Sequence, residues 1–407
     1  MINSGDTAFV LAAAGLVLLM TPGLALFYGG MVRSKNVLGT FMQSMIMISV
    51  ISIEWILVGY SMSFGPDISG FVGNFSWFAL NTVSSAPSPT YATTIPQNVF
   101  MIYQCMFAII TPALITGAIA ERIRFSSFIV FSLLWTILVY NPVCHWIWGS
   151  GGWLAARGVL DFAGGLVVHL TSGAAALAAV LVMGPRYEHG KRHFAPHNLP
   201  MTIIGTALLW FGWFGFNAGS ALAANGIAAT AFIATHLAGM TGMAMWVIME
   251  AIQHGKPTTL GAASGAVAGL ATVTPAAGFV SPIAAMAIGL IAGFVCYSAV
   301  NLKEKIGLDD SLDVVGIHGV GGVIGTICLG IFASKAVNAG GADGLLAGNI
   351  SFLGTQLFGV LVVGVYAFVV SWILLKLING FMGLRVNKED EISGLDQSLH
   401  NETAYNN

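Results

Sequence analysis

Asp161-Phe-Ala-Gly-Gly-Leu-Val-Val-His169 opens one long apolar segment of this chain, and Asp313-Val-Val-Gly-Ile-His318-Gly-Val-Gly-Gly opens another. Each has an Asp near its start, a His one or two helical turns later, and neighbouring glycines. Ionisable side chains are costly inside apolar runs, and where they occur they face a cavity or one another. How these two stretches are read therefore decides the fold: a set of unrelated apolar helices, or a duplicated structure with a polar pair in its interior.

Working outward, runs long enough to span a bilayer as helices, about 20 residues each, occupy roughly 7–31, 39–64, 98–120, 125–148, 162–184, 199–221, 225–250, 259–277, 281–302, 313–334 and 352–384. An all-α, polytopic membrane protein with eleven transmembrane helices is expected. The last run is long enough that it must tilt or project. The segments opened by Asp161 and Asp313 are the fifth and tenth. They lie an odd number of crossings apart and run in opposite directions, as in a five-plus-five inverted repeat with its site at the midplane. Helix 11 lies outside the repeat. At 1.5 Å per residue, His169 stands about 12 Å beyond Asp161, and His318 about 7–8 Å beyond Asp313. Entering from opposite sides, the two imidazoles can meet mid-membrane. The alternative is two separate core histidines, each bonded to a backbone carbonyl. Asp161 and Asp313 are both expected to cap their helices by accepting backbone N–H bonds. Whether Asp161 also senses a cation stays open.

Composition agrees with a lipid solvent. Of the 407 residues 56% are hydrophobic and only 8% charged, against roughly 25% in a soluble domain, and the mean hydropathy is +0.83. A net charge of −2 gives no reason to expect nucleic acid. Basic residues follow every odd-numbered span: Arg33 and Lys35, Arg122 and Arg124, Arg186, Lys191 and Arg192, Lys256, Lys303 and Lys305, Arg385 and Lys388. The other side has only Arg157 and Lys335. By the positive-inside rule the N-terminus lies outside and the tail inside. Residues 1–384 form the transmembrane domain and 385–407 a cytoplasmic tail, with 65–97 an external loop. The first span is read as retained, because Met1 to Thr7 carries no Lys or Arg and the run exceeds a leader's apolar core.

Other features weigh less. Cys105, Cys144, Cys296 and Cys328 read as free buried thiols. His189, His193 and His197 recur every four residues, but Gly190 and Pro196 interrupt them, so a solvated loop is expected and not a metal site. No cofactor is expected. Glu54, beside Trp55 in span 2, faces a polar pocket or another subunit and is given no function. Tyr103 and Phe107 share a face of span 3; Trp210, Trp213 and Phe216 recur every three residues on span 6; His145, Trp146 and Trp148 end span 4. Such aromatics form interfacial belts or, at a site, bind cations.

At these residues the sequence resembles the ammonium transporter family (Amt/MEP, related to the Rhesus proteins). The likeness covers almost the whole chain. It includes P-G-L-A-L-F-Y-G-G-M-V-R-S-K-N (22–36), A-E-R-I-R-F (120–125), H-W-I-W-G (145–149), D-F-A-G-G-L-V-V-H (161–169), F-x-P-H-N-L-P (194–200), W-F-G-F-N-A-G-S (213–220), H-G-V-G-G (318–322) and G-L-R-V (383–386). The resemblance implies a plasma-membrane homotrimer with one pore per subunit, carrying ammonium and methylammonium. By matching motifs it implies an outer ammonium site at Phe107, Trp148 and Ser220. It implies a gate at Phe107 and Phe216, and twin pore histidines at His169 and His318. Asp161, with Asp313, supports the structure, and Tyr103 and Trp213 flank the pore. Trp148 and Ser220 favour the Amt branch. The tail G-L-D-Q-S-L-H-N-E-T-A-Y (394–405) resembles the family's regulatory tail and implies docking of a PII-type signalling protein, although Asn401 stands where Gly is common.

Magnitudes point to neutral ammonia as the permeating form. The idealised cost of taking an ion into a dry, low-dielectric medium is of order 20 kcal/mol, and one cation–π contact returns only ~0.5–2 kcal/mol. For an amine of lysine-like basicity, losing the proton at pH 7 costs only ~4 kcal/mol. Three rivals remain: a membrane metalloprotease, which lacks an H-E-x-x-H motif here; an ammonium sensor; and a Rhesus-like gas channel.

Overall fold

The computed structural model describes residues 1–192 and 194–405, and in it the apolar runs are helices. In chain order they are α1 Ser4–Met31, α2 Ser34–Phe64, α3 Gln97–Ile119, α4 Phe125–Ala156, α5 Gly165–Met183, α6 Leu199–Gly219, α7 Gly226–His254, α8 Thr259–Val273, α9 Pro282–Lys305, α10 Val315–Phe332 and α11 Ile350–Met382. Among the described residues ten are long and apolar enough to cross a membrane, and α8 is shorter. The run 259–277 does not make one continuous helix because Pro275 has no N–H to extend the ladder. The chain continues through 274–279 as turns, and the Pro275 carbonyl accepts the Phe162 N–H at 3.1 Å. The expected loop 65–97 holds two small antiparallel hairpins, β1 Asp67–Ile68 with β2 Val72–Gly73, and β3 Pro87–Ser88 with β4 Ala92–Pro96. All four cysteines are buried free thiols.

Helices α5 and α10 cross at the centre on glycine. A Cβ on Gly173 would lie 2.1 Å from the Gly319 Cα, and one on Gly322 would lie 2.6 Å from the Gly165 carbonyl oxygen. Partner numbers fall along α10 as they rise along α5, so the two run oppositely, and only hydrogen fits between them. Helix α11, 33 residues long, straps this centre from the side. Its Gln356 exchanges two bonds with the Leu160 backbone at 2.9 and 2.7 Å, and its Ser371 hydroxyl accepts from the Trp135 indole at 2.9 Å.

The basic loops gather at one end, the basic face; we call the other the distal face. Glu121, in a left-handed turn at φ 68, accepts from Arg33, from Asn36 at 3.0 Å and from Arg186 at 3.0 Å. Arg186 grips Asp309 through two nitrogens, with Arg122 3.9 Å away and His189 3.3 Å away. Burial alone would raise the Asp309 carboxyl, but Arg186 and Arg122 outweigh it and hold the group down at about 2. A depressed carboxyl stabilises the fold above its unfolded value of about 3.9, and that contribution fades as pH falls through the folded value. Detergent-solubilised protein should therefore lose about 2 kcal/mol between pH 4 and pH 2 from this group, seen as a falling melting temperature. Asp309→Asn should melt lower at pH 7 and change less over that interval; identical acid profiles would refute the assignment.

The tail is seated on this face. Its helices α12 Lys388–Ser393 and α13 Leu395–His400 present Glu391 to the Tyr187 N–H and to Arg385, and Asp396 to the Gly39 N–H at 2.8 Å. Asn401 ends α13 in the left-handed region, φ 54. Glycine favours that conformation and asparagine tolerates it. Residues 184–192 and 194–198 are a loop, as expected, and two of its histidines have protein partners. His197 bonds the Val32 carbonyl through Nδ1 and the Tyr405 hydroxyl through Nε2, each at 2.8 Å. His189 faces Asp309 instead, and His193 lies outside the described residues.

Candidate functional site

The Asp161 carboxylate accepts four consecutive backbone N–H groups, from Gly164, Gly165, Leu166 and Val167, at 2.8, 2.7, 2.7 and 3.0 Å. Gly164, at φ 120, makes the turn possible. The cap launches a π-helical first turn, Gly165–Leu170, which carries His169; such wide turns recur at functional sites. In α10 the expected cap is wrong. Asp313 sits at φ 64 with its carboxylate on Lys303. Asp310 does the capping, accepting from Val314 at 3.1 Å and Val315 at 2.8 Å. Asp310 precedes His318 by the same eight positions that separate Asp161 from His169, and Val315–Gly319 is again π-helical. The repeat is thus more regular than an alignment on Asp313 suggests.

The two histidines meet. Their Nδ1 atoms are 3.2 Å apart and their rings stack at 5.2 Å, both nearly inaccessible. One Nδ1 must donate and the other accept, so the neutral pair holds one ring with a free Nε2 lone pair and one with an Nε2–H. His169 Nε2 has no protein partner. The surrounding passage is apolar, lined by Leu24, Ile110, Leu114, Leu209, Trp213 and Val267 among others, and its free volume for water is about 10 Å³. That is at the threshold for a single water molecule.

On the distal side lies a cavity of about 310 Å³ whose lining includes Phe107, Trp148, Asp161 and Ser220. The rings of Phe107 and Trp148 stand perpendicular at 6.0 Å. Phe107 and Phe216, 4.3 Å apart, separate the cavity from the passage, and Phe216 stacks on toward His169 at 6.1 Å. The Trp148 indole donates to the Asp161 carbonyl at 2.7 Å. Ser220 donates to the Phe216 carbonyl at 2.9 Å, leaving its oxygen lone pairs for a ligand. Tyr103 buttresses that arrangement, its hydroxyl 2.9 Å from the Gly215 and Phe216 carbonyls and 3.3 Å from Ser220. Trp213 donates to Thr274 at 2.9 Å and lies over His169 at 5.6 Å. All the named residues except Asp313 thus lie at the cavity, at the Phe107–Phe216 pair or beside the histidines.

Asp161 borders the cavity, and its carboxylate oxygens already accept four backbone N–H groups. Sequence reasoning passed over Gln104, one turn before Phe107, which also lines the cavity and has a buried Oε1 without a partner. An uncharged amide inside an apolar run was the available sign. Glu54 is buried inside the chain. Asn141 donates to it at 2.7 Å, its other oxygen is unpartnered, and it touches neither cavity nor passage.

The model of the Ammonium Transporter Family matches residues 8–405. The chain belongs to the ammonium transporter family. It is 53% identical over 408 residues to a putative ammonium transporter of Methanothermobacter thermautotrophicus, covering 100% of this chain and 99% of that protein. It is 50% identical over 402 residues to an ammonium transporter of Bacillus subtilis, covering 98% of each. Among solved structures, Saccharomyces cerevisiae Mep2 superposes with a TM-score of 0.90 at 36% identity, covering 95% of this chain and 88% of Mep2. A structure described as a sensor Amt protein gives 0.90 at 30%, covering 97% and 98%. The chain is thus a multi-pass membrane transporter, and ammonium is the substrate class of its family.

Proposed function

We propose that ammonium is held in the distal cavity by Phe107, Trp148 and the Ser220 oxygen, loses its proton above the Phe107–Phe216 pair, and passes His169 and His318 as neutral ammonia. The observation that carries this reading is the histidine pair at 3.2 Å inside a passage with hardly room for one water. Ammonium there would forfeit a solvation of order 20 kcal/mol. Ammonia needs only a donor and an acceptor, which the imidazoles supply in place of water. When one ring takes the released proton at its bare Nε2, passes its Nδ1 hydrogen across the shared bond, and the other ring gives up its Nε2–H toward the basic face, both tautomers are reversed and one proton has crossed, which makes net transport electrogenic.

The distal face lies outside and the basic face in the cytoplasm of a plasma-membrane homotrimer, each subunit with its own passage. Methylammonium keeps three N–H donors and is carried; potassium has none and is refused. The seated tail, with the basic loops, is the docking place for a PII-type signalling protein.

Ser220→Ala removes the hydroxyl oxygen that this reading places on the ion. A hydrogen bond to a charged group contributes about 1.5–3 kcal/mol, so the apparent KM for ammonium in liposomes should rise roughly 10-fold or more with the protein still folded. An unchanged KM would sink the distal site.

A further inference from the structure

This inference rests on the distal cavity being the ammonium site. His145 precedes Trp148 by one turn of α4 and is wholly buried. Both of its ring nitrogens are engaged: Nδ1 lies 3.0 Å from the Ser63 carbonyl oxygen and Nε2 2.9 Å from Asp67 Oδ1. Asp67 also takes the Gly70 N–H at 2.7 Å. The turn after α4's long segment closes around this pair. A Cβ on Gly149 would lie 2.4 Å from His145 Nδ1, and one on Gly151, at φ 89, 2.7 Å from the Asp67 Cβ. Two more bonds join the same pieces: the Trp146 indole to the Phe71 carbonyl at 2.9 Å, and the Trp153 N–H to the Gly70 carbonyl at 3.1 Å. The hairpin β1–β2 is thereby fastened to the backbone that carries Trp148. The indole itself has a single polar tether, to the Asp161 carbonyl, so the position of its ring depends on where that backbone is held.

We propose that Asp67 and His145 form a positioning clamp for Trp148, setting the indole over the ammonium site without touching the ion. The chemistry of the bond makes this testable. Ser63 oxygen and Asp67 oxygen are both acceptors, so the array closes only with a hydrogen on each contact. One Asp67 oxygen, Oδ1, takes both the Gly70 N–H and the contact from Nε2; asparagine at 67 keeps an oxygen there to accept both, and alanine keeps neither.

The full chain in liposomes, with ammonium flux measured against concentration, gives the test. Asp67→Ala should raise the apparent KM roughly 2–30-fold, the range of one lost cation–π contact, and leave the maximal flux within about twofold. Asp67→Asn should keep the original KM. His145→Ala should match Asp67→Ala, and the double variant should be no worse than either. If Asp67→Ala fails to assemble, Asp67→Ser, too short to reach Nε2, replaces it. A shifted KM for Ser220→Ala with an unshifted KM for the Asp67 variants overturns the clamp alone. An unshifted KM in all of them overturns the cavity as the ammonium site, and the clamp with it. Equal losses in D67A and D67N, or a loss of flux without change in KM, also overturn the clamp.

Discussion

Asp161→Ala abolishes ammonium flux and yields little folded protein. Four buried N–H groups lose their only acceptor in one change, and each unsatisfied donor costs about 1–3 kcal/mol. The sum rivals the whole net stability of a typical domain, about 5–15 kcal/mol. The loss falls where it matters for function, because the same turn supplies the carbonyl that tethers Trp148 and launches the π-helical turn that carries His169. Asp161→Asn keeps one acceptor oxygen, loses about two of the bonds and is the better experiment. It should assemble, melt lower, and carry less than roughly 4% of the original flux, since about 2–6 kcal/mol is taken from the geometry of the site. Flux near the original level in a well-folded Asp161→Asn protein would show that the cap does not hold the site together.

The paired substitution His169→Ala, His318→Ala carries the second large effect. It removes the only donor and acceptor that the passage offers, among the described lining residues, to an ammonia molecule. Moving a polar group through an apolar region without partners costs roughly 2–7 kcal/mol, and a tenfold change in rate corresponds to about 1.4 kcal/mol. Ammonium-driven current should fall at least ~30-fold. The emptied volume also admits water, so discrimination against potassium should weaken. Measuring both currents in the same vesicles decides the matter: an unaltered ammonium current with potassium still refused removes the histidines from the mechanism. Either single substitution should retain more than the pair, because one imidazole still offers both a donor and an acceptor.

The legibility of these features in the sequence differs residue by residue. His169 and His318 stood out because each interrupts an apolar run, and their opposed entry followed from counting spans. The aromatic and hydroxyl residues of the cavity came from motif resemblance; spacing alone left Trp148 or Phe216 equally fit for lipid packing. Asp313 misled because it lies nearer to its histidine than Asp310 does. The chain takes a left-handed step at Asp313 that turns its side chain to Lys303 and leaves the preceding aspartate to cap. Gln104 was passed over because an amide has no charge to betray it. The bond between Asp67 and His145 joins residues 78 positions apart, and nothing local in either segment announces the other.

The number and alternating direction of the helices were legible in the sequence alone, although the break at Pro275 left α8 shorter than its apolar run. Transfer from water to lipid is summed over one contiguous segment, and each segment of twenty-odd apolar residues settles its own fate. The tertiary structure alone decided which aspartate caps α10, how closely the imidazoles approach, how dry the space around them is, and what holds Trp148 in place. Each of those is a distance between atoms on different helices. Such distances are set by glycine crossings, caps and side-chain packing acting together, and no single segment encodes them.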